Sequence, residues 1–312
     1  MTQIKPLSSM ETPRFADVAT FFRLPVVKDL NKLDYCISGV PWDGGTTNRP
    51  GARHGPREIR NASSLVRLYH PVSLKSPYDK FNIADIGDCP VNPADLNDSL
   101  EKIEKFYSKI HNSKTIPLTI GGDHLISLPI LRGIAKEKPL GLFQFDSHSD
   151  TWDTYFGGFK YTHGTPFRRA IEENLIDPKK YVILGLRGAL YDPEDLSWAR
   201  EQGVTIITID DYYEMGFNKC IEKIYEVLVN TDTYFTFDID GIDPTFAPGT
   251  GTPEVGGFNV REAQTIIRAL NKINFVGGDV VEVSPPFDVN NMTSLVGATI
   301  AFEMLCTMTK VN

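Results

Sequence analysis

The chain has 312 residues, with 32 Lys and Arg against 40 Asp and Glu, for a net charge of −8. That balance leaves no basic stripe for a phosphate polymer, which excludes nucleic acid as a partner and mildly favours a small cation. At 41% hydrophobic and 23% charged residues, with 25 Gly and 21 Pro, it reads as an ordinary globular chain, neither fibrous nor disordered.

Residues 1–30 show no periodicity and are expected to form an arm or irregular cap. Met1–Pro13 is polar and broken by Pro6 and Pro13, so no secretory leader is expected. Tyr35–Val40 reads as the first strand, followed by Ile116–Ile120, Leu140–Phe145 and Tyr181–Leu186. Pro193–Gln202 reads as a helix and Val204–Ile207 as a strand. Ile221, Ile224, Tyr225 and Leu228 fall on one helical face. Tyr234–Phe237 is a strand, Val260–Asn271 a helix with Ala263, Ile266, Ile267 and Leu270 as its apolar stripe, and Phe275–Val283 a further strand. Thr293–Met308 is apolar nearly all round and is expected to be a largely buried helix. The strands are short, apolar and without polar alternation, as in a parallel sheet covered on both faces. Alternation of strands and helices implies an α/β fold, and with no repeat or linker one domain over 1–312 is expected. No apolar run of membrane-spanning length occurs. Cys36, Cys89, Cys220 and Cys306 form no CxxC pair, so four free thiols in a reducing, cytoplasmic setting are expected.

In such folds ligands sit at the carboxyl ends of the strands. Gly121-Gly122-Asp123-His124 follows one strand, Asp146-Ser147-His148-Ser149-Asp150 a second, and Asp238-Ile239-Asp240 a third. If the backbone stayed extended, alternate side chains would converge: Asp146, His148 and Asp150 on one side, Asp238 and Asp240 likewise. Taken singly, His124 would be a turn residue and Asp-x-Asp loop polarity. Together they make two imidazoles and four carboxylates, a cluster too costly to bury without cations. Two divalent cations would neutralise it. Carboxylate-rich ligation with two imidazoles suits Mn²⁺, with Ni²⁺, Co²⁺ or Zn²⁺ as alternatives. His54, His70 and His111 sit in polar, loop-like contexts and take no role. Neither GxGxxG nor a P-loop follows the first strand, which argues against a nucleotide enzyme.

Six segments in order, GVPWDGGTTNRPGARHGPREIR (39–60), GGDH (121–124), FDSHSD (145–150), THGTPF (162–167), FDIDGIDPTFAPGTGTPEVGG (237–257) and DVVEVSPPFD (279–288), give a chain that resembles the ureohydrolases: arginase, agmatinase, guanidinobutyrase and relatives. The resemblance implies a three-layer α/β/α fold with a mostly parallel central sheet, and commonly a trimer or hexamer. It also implies that His124, Asp146, His148, Asp150, Asp238 and Asp240 are the ligands of a binuclear Mn²⁺ site. By the same resemblance His163 is the proton-shuttling histidine and Glu282 the carboxylate that pairs with the substrate guanidinium, with Glu254 a weaker rival. Asp150 would carry a proton to the leaving nitrogen.

Arginases have Ile-Asn where this chain has Thr151-Trp152, and an asparagine before the proline where it has Glu282-Val283-Ser284-Pro285. Both departures turn the resemblance away from arginine and towards the agmatinase and guanidino-acid branch. The expected reaction is hydrolysis of 4-guanidinobutyrate or 3-guanidinopropionate to urea and an amine, with agmatine, free guanidine and formiminoglutamate as alternatives. A one-metal deacetylase and a silent family member are disfavoured by the full ligand set. Trp152, Tyr155 and Tyr161 are candidates for the pocket of the substrate's tail, or else simple loop packing.

Overall fold

The computed structural model describes residues 3–312. Its centre is one sheet of eight parallel strands: β1 (Tyr35–Gly39), β2 (Ile83–Asp88), β3 (Ile116–Ile120), β4 (Leu140–Phe145), β5 (Ile176–Leu186), β6 (Thr205–Thr208), β7 (Asp232–Asp238) and β8 (Asn274–Val281). Their order is β2-β1-β3-β8-β7-β4-β5-β6. The helices are α1 (Gly55–Ser63), α2 (Leu96–Asn112), α3 (Ser127–Ile134), α4 (Pro166–Glu172), α5 (Ser197–Gln202), α6 (Ile209–Met215), α7 (Phe217–Leu228), α8 (Val260–Ala269) and α9 (Met292–Met308). Two apolar cores result, one on each face. Helices α1 and α6–α9 pack over one face, and α2–α5 over the other. Successive strand residues feed opposite cores: Tyr35 and Ile37 join the first, Cys36 the second. This is the expected three-layer α/β/α architecture, with every strand pair parallel.

The apolar strands are where the sequence places them, with ends shifted by a few residues; β5 starts earlier, at Ile176. Strand β2 escapes the sequence reading, because Ile-Ala-Asp-Ile-Gly-Asp is short and carries two carboxylates on an edge. Helix α2 escapes it too, although Asp95 caps it by accepting from the Asp98 amide at 3.0 Å. Helix α9 is buried along nearly its whole length, as expected. The expected arm is irregular, but Phe21, Phe22 and Leu24 within it are core residues; its first two residues lie outside the described ones. All four cysteines are free and buried. Among the described residues no helix is long and apolar enough to cross a membrane.

The strand order positions the site. Strand β8 separates β3 from β7, and β7 neighbours β4. The carboxyl ends of β3, β8, β7 and β4 therefore stand side by side at the middle of the sheet.

Candidate metal centre

The six predicted ligand residues meet at these strand ends. His124 Nδ1 lies 3.2 Å from Asp146 Oδ2, 2.8 Å from Asp150 Oδ2 and 3.2 Å from Asp238 Oδ2. His148 Nδ1 lies 3.1 Å from Asp240 Oδ2 and 3.7 Å from Asp146 Oδ1. Two ligand groups result, His124–Asp146–Asp150 and Asp146–His148–Asp240, each with atoms within 4.8 Å of one another. Asp146 belongs to both groups.

The convergence does not come from extended backbone. Strand β4 ends at Phe145, and Asp150 takes a left-handed conformation with φ 50°. Strand β7 ends at Asp238, and a 3₁₀ turn follows in which the Asp240 amide donates to Asp238 Oδ1 at 2.8 Å. Turns, not pleats, bring the carboxylates together; alternation fails where strands stop. Glu282 is likewise not in a strand: β8 ends at Val281, and Glu282 has φ 64°, at a cost of about 1–2 kcal/mol for a side chain with a Cβ.

The chemistry of His124 tests whether this cluster fits a metal. Its Nε2–H donates to Thr236 Oγ1 at 2.7 Å, and Thr236 in turn donates to Asp279 Oδ1 at 2.6 Å. Asp279 also accepts from Ser127 at 2.6 Å and Tyr234 at 2.8 Å. This chain fixes the tautomer, leaving a lone pair on Nδ1. Nδ1 is buried beside three carboxylate oxygens and hydrogen-bonded to none. A cation among those oxygens would satisfy it, so the residues fit a metal. The carboxylates are supported from behind. Gln144 Nε2 donates to Asp146 Oδ2 at 2.7 Å, while Gln144 Oε1 accepts from the Tyr181 hydroxyl. Ser147 donates to Asp240 Oδ1 at 2.6 Å. Burial, and then the Asp146 charge, raise Asp150 to about 6. Burial, Asp240 and Asp146 push Asp238 well above the carboxylate range.

Above the cluster opens a cavity of about 670 Å³. Asp150, His148, Asp238 and Asp240 form part of its wall, with Thr47, His163, Trp152, Tyr155 and Glu254. Tyr161 does not line it: the Arg132 guanidinium sits over that ring, 5.8 Å from its centroid, and the ring packs on the core beneath α2–α5. Its expected tail contact is therefore corrected. Glu282 is also off the cavity surface. Its Oε1 accepts from the His124 amide at 2.9 Å and from His163 Nδ1 at 2.8 Å, while Oε2 is buried without a partner. Burial opposes charge on His163, but Glu282, with Asp123 and Asp150, raises it to about 9.

Sequence reasoning missed Thr236, Gln144 and Arg187. Arg187 donates to the carbonyls of Gly185, Asp240, Gly241, Ile242 and Glu254, tying the β5 and β7 loops together. Only an arginine next to a ligand loop hints at this, and that hint is weak. His70 is not in a polar loop: it is buried, 3.0 Å from Glu303.

The arginase family model matches residues 33–306. The chain belongs to the arginase family. A Pseudomonas aeruginosa guanidinopropionase is 54% identical to this arginase-family chain over 302 residues, covering 97% of it and 95% of the relative. A guanidinobutyrase of the same organism is 44% identical, covering 97% and 96%. The structure of proclavaminate amidino hydrolase from Streptomyces clavuligerus superposes with a TM-score of 0.92 at 38% identity, covering 96% of this chain and 100% of that one. The arginase-family chain is accordingly an enzyme, a hydrolase of the C–N bonds of linear amidines.

Proposed function

We propose that this enzyme hydrolyses the guanidino group of a short guanidino acid, 3-guanidinopropionate or 4-guanidinobutyrate, to urea and an amino acid. The 54% identity to a guanidinopropionase over almost the whole of both chains carries the choice of substrate. Aromatic Trp152 and Tyr155 in the cavity wall suit the methylenes between the guanidino group and the carboxylate.

His124, Asp146, His148, Asp150, Asp238 and Asp240 would hold two divalent cations, Mn²⁺ by the hardness of the donors, with Ni²⁺ or Co²⁺ also suited. When bound, such a pair supplies Lewis acidity and a water of lowered pKa. The chain's own groups do the rest. Asp150 lines the cavity beside the other ligands and carries a proton towards the leaving nitrogen. His163 protonates the leaving amine from the cavity wall. Glu282 orients His163 through Oε1 from behind the cavity wall. The four free buried cysteines support a cytoplasmic setting, and assembly as a trimer or hexamer is the form expected of the family.

The test is urea release by Mn²⁺-incubated protein from the two guanidino acids, agmatine, arginine and guanidine, with a chelated control. Preference for a guanidino acid, lost on chelation, is the expected result. Agmatine turned over faster than both acids would overturn the substrate assignment. Undiminished activity after complete metal removal would overturn the metal assignment.

A further inference from the structure

We propose that Thr47 is a positioning residue for His163, holding the cavity-side nitrogen of its imidazole in both protonation states; this rests on the reading of His163 as a proton carrier. His163 Nδ1 faces Glu282 Oε1 at 2.8 Å. A carboxylate only accepts, so Nδ1 carries the hydrogen. Glu282 lies off the cavity, whereas His163 and Thr47 both line it. The other ring nitrogen, Nε2, meets Thr47 twice: the main-chain N at 3.1 Å and Oγ1 at 2.7 Å.

Thr47 is held there by its neighbours. The Gly45 carbonyl accepts from the His163 amide at 2.9 Å, and the Gly45 amide donates to Asp123 Oδ2 at 2.6 Å. A Cβ on Gly45 would come within 2.9 Å of Leu125, so a glycine is needed for this approach. On the other side of Thr47, Asn48 and Arg49 both donate to the Gly251 carbonyl at 3.1 Å. The loop after β1 is thus pinned to the loops after β3 and β7 and to His163 itself.

The two Thr47 groups are not equivalent. With a neutral ring, Nε2 accepts from both the amide and the hydroxyl. With a charged ring, Nε2–H needs an acceptor, which an amide N–H cannot be. The hydroxyl can turn and accept. It is the Thr47 group able to serve both states, so the ring gains or loses its proton without moving. The titratable groups around the ring are the carboxyl groups of Glu282, Asp123 and Asp150. They favour the charge from elsewhere and leave Nε2 to Thr47. The phenol of Tyr155 stands over the adjacent Gly164.

Thr47→Val keeps the shape and removes the hydroxyl. A charged ring would then face only the amide donor, so it should lose its proton about one pH unit earlier. The experiment compares wild type, Thr47→Val, Thr47→Ser and His163→Asn as full-length protein. It measures the pH dependence of kcat and KM after Mn²⁺ incubation. It also follows the imidazole NMR titration of the metal-free protein, whose six histidines are assigned by difference against His163→Asn. Valine is expected to lower kcat about tenfold, leave KM within about twofold and move both the alkaline limb and the ring titration down by about one unit, with serine restoring all three. Unmoved titration and limb in Thr47→Val, or serine as impaired as valine, would overturn the proposal. Should valine fail to fold, Thr47→Ala is read in its place by the same criteria. Wild-type activity in His163→Asn would instead remove the proton-carrier reading, and the proposal with it.

Discussion

Glu303 on α9 and Asp238 at the end of β7 are each only 2% exposed, yet their surroundings are opposite. Glu303 accepts from Arg268 Nε at 2.9 Å, Gln264 at 3.1 Å and His70 at 3.0 Å. Asp238 shares its site with Asp146, Asp150 and Asp240, and among the described residues no Lys or Arg pairs with any of them. The first cluster brings its own cation and is complete. The second gathers carboxylates around two histidines whose Nδ1 atoms face them, and no Lys or Arg among the described residues balances their charge. Buried carboxylates that the chain satisfies are structural, and those it leaves unsatisfied mark a ligand.

Removing one ligand should break the contrast most forcefully. Asp238→Asn is expected to cut urea release by on the order of 1000-fold or more, while raising the melting temperature of metal-free protein by relieving like charges. A lower melting temperature of that metal-free variant would contradict the view that the cluster is under repulsion. On the other side of the sheet, Glu303→Ala leaves Arg268 and His70 buried without their carboxylate. It is expected to cost about 3–5 kcal/mol in denaturant unfolding, with kcat of the native fraction within about twofold. A large loss of kcat at unchanged stability would show that the back cluster serves the site.

The smallest expected effect concerns pH. His163 is raised from 6.5 to about 9. The stability it contributes with Glu282 is therefore full below pH 6.5 and lost as pH rises through 9. The alkaline limb of kcat should fall in the same window, and Glu282→Gln should move it towards neutrality. A limb that stays in place in that variant would assign it to another group.

Much of this was legible in the chain. Apolar runs such as Ile116–Ile120 and Leu140–Phe145 fall on strands with those same bounds, because burial on both faces leaves a run that polar loops must interrupt. Strand β2 and helices α1–α4 and α6 were not legible. Helix α1, for example, begins at Gly55-Pro56 and carries Arg57, Glu58 and Arg60, a polar stretch that is helical because Ile59 docks on α9. Tyr161 shows the limit at the site: it lies in the same loop as Trp152 and Tyr155, yet its ring turns to the core.

By itself the sequence determined which residue types stand directly after which strands, and hence that four carboxylates and two imidazoles would crowd one edge of the sheet. Only the tertiary structure decided that they meet. The insertion of β8 between β3 and β7 sets their spacing, turns at Asp150 and Asp240 aim them, and Thr236 and Asp279 choose the nitrogen that His124 presents. The physical reason is reach. Periodicity and turn chemistry act over a few residues, whereas the contact between His124 and Thr236 spans 112 positions and exists only because the strands pack side by side.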